Sequence, residues 1–158
     1  MNKQDFYTVR GYQLLNQNLL TPSMEDYLEM IYRICLDEEF IRINELANKL
    51  NVRPSSATKI VQKLKILGFV YYQKYGYITL TKEGIDVGSF LLNRHITIEN
   101  FLNLIGVEDA FKDTEMIEHD ISLNSLTNIN MLNDFFNNNP KTLKQYEMYK
   151  EKWKSEKK

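Results

Sequence analysis

Between residues 43 and 81 the chain passes from helical to strand periodicity, and the order of these elements restricts the fold more than any other feature. Apolar residues three and four apart predict a short helix over residues 43–50 and a longer one over residues 54–67. Pro54 suits the first position of the longer helix, because the N–H that it lacks would have no partner there. Gly68 is the expected end of that helix, and a β-rich hairpin follows it. This order is typical of a winged helix-turn-helix.

Helices are also predicted on both sides of this segment. The first follows Thr21-Pro22-Ser23, with Ser23 as the expected cap, and runs to about Leu36. Beyond the hairpin, apolar residues at helical spacing predict four more helices, over residues 83–105, 107–123, 126–136 and 141–153. The predicted fold class is therefore mainly α. Its predicted parts are an extension at residues 1–20, a winged helix-turn-helix domain at residues 21–82 and a helical domain at residues 83–158.

Size and composition exclude several classes of protein. A chain of 158 residues fits one domain, or two small ones that share a core. No apolar run approaches the ~20 residues that span a bilayer, and residues 1–20 lack the apolar stretch of a signal peptide. The single cysteine, Cys35, excludes an internal disulfide and a cysteine-rich zinc site. We therefore expect a protein of the reducing cytoplasm, without a membrane partner.

Charge is distributed unevenly along the chain. The formal net charge is −1, from 20 basic and 21 acidic residues. Residues 51–82 contain six basic residues and no acidic one, which leaves 14 basic against 21 acidic residues elsewhere. A positive stretch on an otherwise acidic chain is the electrostatic footprint of a nucleic-acid binder, although a solvated basic face is the simpler alternative.

The polar side of the longer helix and the tip of the hairpin are the candidate DNA-binding surface. Small hydroxyl residues near a helix start can contact phosphates and base edges, and lysines can contact the backbone. Core packing explains the apolar positions of this helix, but it does not explain a polar side without a carboxylate. The candidate residues are Arg53, Pro54, Ser55, Ser56, Thr58, Lys59, Gln62 and Lys63 on the helix, and Lys74 and Tyr75 on the wing.

The two histidines of the chain, His95 and His119, both occur near acidic residues at helical spacing. Residues three and four apart on a helix share one face, so such groups can reach one ion. An oxygen-rich set with imidazole suits a divalent ion harder than zinc or copper, with manganese or ferrous iron foremost. Each part has a simpler explanation, since acidic helix faces are usually solvated and a lone histidine is often a core residue. Together six side chains are available, which leaves room for two bridged ions: Asp26, Glu29, His95, Glu115, Glu118 and His119. Glu99, one turn after His95, could orient that imidazole.

Five short motifs occur in order along residues 21–136. They are Thr21-Pro22-Ser23-Met24-Glu25-Asp26-Tyr27-Leu28-Glu29-x-Ile31-Tyr32, Pro54-Ser55-Ser56-x-Thr58-Lys59-x-Val61-Gln62-Lys63-Leu64, Arg94-His95, Phe101-Leu102-x-x-Ile105-Gly106-Val107 and Glu115-x-Ile117-Glu118-His119. In this combination the chain resembles the diphtheria-toxin-repressor family, and within it the manganese transport regulators. The resemblance implies a homodimer with a winged-helix domain and a helical dimerisation domain, without the SH3-like third domain of the longer iron regulators. It also implies a binuclear site built from the same six side chains, with the backbone carbonyl of Glu115 as a further ligand.

Three departures from the family pattern affect what the resemblance implies. Phe111 stands where the iron-responsive members have a histidine of an ancillary site, and Asp120 stands where relatives often have a second histidine. Residues 1–20 have no counterpart in the minimal manganese regulators. Iron-responsive members carry Met and Cys at the positions of Asp26 and Glu115, so oxygen ligands at both places favour manganese.

These observations lead to one hypothesis and three alternatives. The hypothesis is a Mn²⁺-responsive transcriptional regulator, a repressor of manganese uptake genes, in which the metal is a co-repressor that fixes the spacing of the recognition helices of a dimer on a palindromic operator. The alternatives are an Fe²⁺-responsive member of the same family, a metal-independent winged-helix regulator and a di-metal enzyme. The chain shows no nucleophile and no glycine-rich phosphate loop, so we expect neither catalysis nor a small-molecule substrate.

Overall fold

The computed structural model describes residues 20–157, so nearly all of the predicted extension at residues 1–20 lies outside the described residues. Within this range the helices are α1 Pro22–Cys35, α2 Ile43–Lys49, α3 Pro54–Ile66, α4 Lys82–Ile105, α5 Ala110–Ile117, α6 Leu123–Asn138 and α7 Pro140–Glu156. The strands are β1 Ile41–Arg42, β2 Val70–Tyr72 and β3 Tyr77–Leu80. The prediction of a mainly α fold is confirmed. None of the helices in residues 20–157 has the length and apolar character that a bilayer crossing requires.

The chain divides into two units, Met1–Arg94 and His95–Lys158, and the division falls within α4. In the first unit α1, α2 and α3 pack against a three-stranded antiparallel sheet of order β1-β3-β2. In that sheet Val70 pairs with Leu80, and Ile41 pairs with Ile78. The helices and sheet enclose an apolar core that includes Leu28, Ile31, Ile41, Leu46, Ala57, Val61, Leu64 and Ile78.

The first helix begins two residues earlier than a Ser23 cap would allow. Thr21 has extended backbone dihedrals, and its side-chain oxygen accepts a hydrogen bond from the Met24 N–H at 3.4 Å. Pro22 occupies the first helical turn, where its fixed φ is compatible with the helix. The prediction of Ser23 as the cap is therefore wrong, because Pro22 makes the residue before it the boundary.

The second unit is built from the end of α4 and from α5, α6 and α7, and α6 packs against α7. Gly106 ends α4 with a φ of +85°, a left-handed conformation that glycine adopts without steric cost. The predicted helix over residues 107–123 is shorter in the structure. Asp109 caps α5 by accepting a hydrogen bond from the Lys112 N–H at 3.2 Å, and the helix ends at Ile117. A 3₁₀ turn, Glu118–Asp120, then follows.

Candidate metal centre and nucleic-acid interface

His95 and Glu118 are the most buried of the predicted metal ligands, each at 1% exposure, and His95 lies on α4. Its Nδ1 atom is 3.1 Å from an oxygen of Glu118 and 3.5 Å from an oxygen of Glu115. Its Nε2 atom is 3.7 Å from an oxygen of Glu99. Within the second unit, two predicted ligands therefore converge on one edge of the imidazole, and the predicted orienting residue reaches the other edge.

The end of α5 produces this convergence. Glu115 lies in its last turn, and Glu118 opens the 3₁₀ turn that follows. Glu118 is buried, whereas about half of the Glu115 side chain is exposed. His119 is half-buried in the same 3₁₀ turn. The four predicted ligands of the second unit thus come from α4 and from one short segment, Glu115 to His119.

The chemistry of this group fits a divalent cation. A neutral imidazole has one N–H donor and one lone pair, so it cannot donate to carboxylates at both of its nitrogens. A carboxylate as buried as Glu118 is also costly unless positive charge compensates it. A cation among these groups would satisfy both requirements. Carboxylate oxygens with imidazole form the donor set that manganese and ferrous iron accept.

The first unit carries three acidic residues on α1, namely Glu25, Asp26 and Glu29. Glu29 is buried, and its Oε1 atom accepts hydrogen bonds from Nε of Arg33 at 2.9 Å and from Nη2 of Arg33 at 2.6 Å. Asp26 is half-buried. The apolar stripe of α1 placed Asp26 and Glu29 on the polar side, yet Glu29 is 8% exposed. A charged side chain is seldom buried to this extent unless it is paired, and Arg33 supplies a partner.

Glu25 and Arg94 form a buried ion pair that the sequence did not disclose. The Nη2 atom of Arg94 donates to Oε2 of Glu25 at 2.8 Å, and both side chains are at most one-tenth exposed. Glu25 resembled an ordinary acidic residue of a helix start, since negative charge there is favourable in any helix. Its partner is 69 positions away, so no local pattern could indicate the pair.

The predicted DNA-binding residues of α3 form an exposed polar side. Ser55, Ser56, Lys59, Gln62 and Lys63 are exposed, as are Arg53 and Pro54 at the helix start. Thr58 is half-buried, and its hydroxyl donates to the Pro54 carbonyl at 2.9 Å. The opposite side of α3 is fully buried, at Ala57, Val61 and Leu64. The helix is therefore anchored by its apolar side and presents the candidate residues outward.

The wing presents Tyr75 as its most exposed aromatic side chain, at 91%. Tyr75 has a φ of +66°, which is unfavourable for a bulky residue and is held by the 3₁₀ turn Lys74–Gly76. The side chain of Lys74 lies outside the described part of the structure. A further positively charged side chain, Arg42 of β1, lies on the sheet of the wing. Its Nη2 atom donates to the Tyr77 hydroxyl at 2.8 Å. Sequence reasoning missed Arg42, since a two-residue strand has no periodicity.

Comparison with known proteins agrees with both halves of this description. Residues 19–78 match the family described as "Iron dependent repressor, N-terminal DNA binding domain". Residues 81–147 match "Iron dependent repressor, metal binding and dimerisation domain". The "HTH-type transcriptional regulator MntR" of Listeria monocytogenes serotype 4a is 44% identical over 126 residues, which are 78% of this chain and 89% of that protein. The protein of the same name from Lysinibacillus sphaericus is 42% identical over 132 residues, 82% of this chain and 95% of that protein.

Two solved structures of metal-dependent regulators are also similar to the chain, but the match covers a smaller share of their length than of the two relatives above. The structure titled "Structure of the manganese regulator SloR" is 28% identical with a TM-score of 0.64, over 73% of this chain and 55% of that chain. The metal-dependent transcriptional regulator MtsR is 27% identical with a TM-score of 0.65, over the same shares. The chain thus spans about half the length of these two structures.

Proposed function

Because the chain belongs to the iron-dependent repressor family, whose members are DNA-binding transcriptional regulators and not enzymes, we propose that it responds to Mn²⁺ and represses genes of manganese uptake. The observation that carries the metal response is the buried imidazole of His95, with carboxylates of Glu115 and Glu118 within 3.5 Å of its Nδ1 atom. Two relatives named as manganese or MntR regulators support the choice of ion. As a regulator of genes, the protein acts in the cytoplasm.

We propose that six side chains hold the metal, in a binuclear site. They are Asp26, Glu29, His95, Glu115, Glu118 and His119. Five of the six are buried or half-buried, which is unusual for such a set of polar groups and supports a shared role. All four carboxylates supply hard oxygen donors, so the set favours manganese over the softer transition metals. Fe²⁺ is the alternative ion, and the experiment below separates the two.

The proposed control of DNA binding follows from where these residues lie in the chain. Asp26 and Glu29 belong to the unit that carries α3, whereas His95 and the segment Glu115 to His119 belong to the other unit. Shared ligation would therefore link the two units. Without a cation the carboxylates repel one another, and the link is loosened. When bound, the metal supplies the positive charge that these carboxylates require.

The DNA-binding form is a dimer, as the match to a dimerisation domain indicates. The second unit exposes large apolar side chains that a single chain leaves in water, including Phe111, Met116, Met131 and Phe135. A dimer that reads a palindromic operator needs its two recognition helices about 34 Å apart, one turn of DNA. A linked pair of units restricts that spacing, so metal and DNA binding strengthen each other reciprocally. On the DNA, Arg53, Lys59 and Lys63 contact phosphates, and Ser55, Ser56 and Gln62 lie at base edges.

The test is operator binding by the dimer, measured by fluorescence anisotropy during titration with Mn²⁺ and, anaerobically, with Fe²⁺. The operator is a palindrome from a manganese-importer promoter. We expect Mn²⁺ at micromolar levels to tighten binding more than Fe²⁺ does. His95→Ala and Glu115→Ala should lose this response, while the control Glu108→Ala, an exposed acid outside the proposed set, keeps it. An equal or stronger response to Fe²⁺ would assign the protein to iron, and no response to either ion would make it a metal-independent regulator.

A further inference from the structure

Arg33 holds the carboxylate of Glu29 more closely than an ordinary surface ion pair would. Its Nε and Nη2 atoms donate to the same oxygen, Oε1 of Glu29, at 2.9 and 2.6 Å. The Glu29 side chain is 10% exposed and the Arg33 side chain is 36% exposed, so the pair lies at the edge of the protein interior. The two residues are one helical turn apart on α1, where their side chains lie on the same face.

We propose that Arg33 is a built-in counter-cation for Glu29 that lowers the affinity of the protein for its metal. This inference rests on the proposed function, in which Glu29 is a ligand. A cation that reaches the Glu29 carboxylate must either displace the guanidinium or share the carboxylate with it. In both cases the positive charge of Arg33 opposes binding.

Arg33 could instead assist metal binding, by fixing the rotamer of Glu29 before the metal arrives. The two effects have opposite signs, and their sizes decide between them. The benefit of a fixed rotamer is limited to the conformational entropy of one side chain. The repulsion between a guanidinium and a divalent ion is twice that between two single charges at the same distance, and the burial of Glu29 reduces its screening by water. The charge effect is therefore the larger one.

The effect of Arg33 on metal binding is expected to exceed its effect on the stability of the helix. An i,i+4 ion pair on a helix contributes little to folding. Its effect on a divalent cation is larger, because the same charge acts on a doubly charged partner close to a ligand oxygen. Arg33 would thereby set the concentration of free metal at which the protein responds, without being a ligand itself.

The experiment measures the affinity of the intact dimer for Mn²⁺, by competition with a fluorescent chelator in the absence of DNA. The variants are Arg33→Gln, which removes the charge, and Arg33→Lys, which keeps it. The matched control is Lys49→Gln, which removes one exposed positive charge from α2 in the same unit. Circular dichroism of each variant in the presence of EDTA checks the fold.

We expect Arg33→Gln to bind Mn²⁺ at least about tenfold more tightly than the wild type. Arg33→Lys and Lys49→Gln should remain within about threefold of it. The gain in Arg33→Gln should also shrink as the salt concentration rises, which a purely structural role would not cause. Unchanged or weaker binding by a folded Arg33→Gln would overturn the proposal, and weaker binding would show that Arg33 positions Glu29. If the wild type itself binds no Mn²⁺, the proposed function fails rather than the role of Arg33.

Discussion

Replacing Arg94 with Met is expected to destabilise the protein more than removing the charge of Arg33 does. The guanidinium of Arg94 is 3% exposed and lies 2.8 Å from a Glu25 carboxylate that is 10% exposed. Arg94→Met keeps most of the volume of the side chain but leaves the Glu25 carboxylate buried without this partner. Loss of one member of a buried ion pair costs about 3–5 kcal/mol. Loss of the Arg33–Glu29 bridge should cost less than that, because Arg33 is one-third exposed and water already screens the pair.

The same reasoning predicts that a second substitution restores much of the lost stability. Glu25→Leu alone leaves a buried guanidinium and should cost as much as Arg94→Met. The double variant Glu25→Leu/Arg94→Met buries no unpaired charge at this position, so it should lie within about 1–2 kcal/mol of the wild type. The two costs are then strongly non-additive, as expected for groups in direct contact.

The assay is urea denaturation followed by far-ultraviolet circular dichroism, with EDTA present. All variants are compared at one protein concentration, because the apparent stability of a dimer depends on it. A cost below about 1 kcal/mol for Arg94→Met would refute the reasoning. So would a double variant whose loss equals the sum of the two single losses, since that result would mean that the side chains do not interact.

Two further predictions concern residues of the first unit. Lys63→Ala should weaken operator binding about equally for all sequences and lower the slope of log K against log salt by about 2, because the dimer loses one phosphate contact at each half-site. The slope is measured by anisotropy at several salt concentrations, and an unchanged slope would remove Lys63 from the phosphate contacts. Burial, and then the negative charge of Glu38, raise the pKa of the Cys35 thiol above its ordinary value, so alkylation by iodoacetamide should reach its half-maximal rate at a higher pH in the folded protein than in urea. Equal pH profiles in the two states would contradict this.

Periodicity predicted the winged helix because its signals are local. The starts of α2 and α3 coincide with their predictions, since the apolar spacing and Pro54 act within a few residues. The strand β1 could not be found in this way, because two residues cannot show alternation. It exists because Ile41 and Arg42 pair with β3, a contact between distant parts of the chain. The end of α5 was misplaced for a similar reason, as no Gly or Pro marks it.

The two ion pairs differ in the same way, because one depends on local spacing and the other on tertiary structure. The pair of Glu29 and Arg33 could have been found from the sequence, since the spacing i,i+4 brings side chains together on any helix. The pair of Glu25 and Arg94 could not, since it depends on how α4 packs in the first unit. Buried ion pairs are specified by tertiary structure, and the sequence shows only that each charge exists. This is why Glu25 resembled an ordinary acidic residue of a helix start although its side chain is buried.

The error at the end of α5 did not affect the prediction that Glu115 and Glu118 lie on one side of the segment, and helix geometry explains why. In an α-helix residues i and i+3 lie on neighbouring positions of one face, and in a 3₁₀ helix, with three residues per turn, they eclipse. Glu115 and Glu118 therefore remain on one side whether the segment stays α-helical or tightens, and both reach Nδ1 of His95. His119 follows Glu118 by one position, so its side chain points in another direction in either geometry. Ligands that point in more than one direction favour two bound ions over one. The number of Mn²⁺ ions bound per chain in the chelator titration tests this prediction.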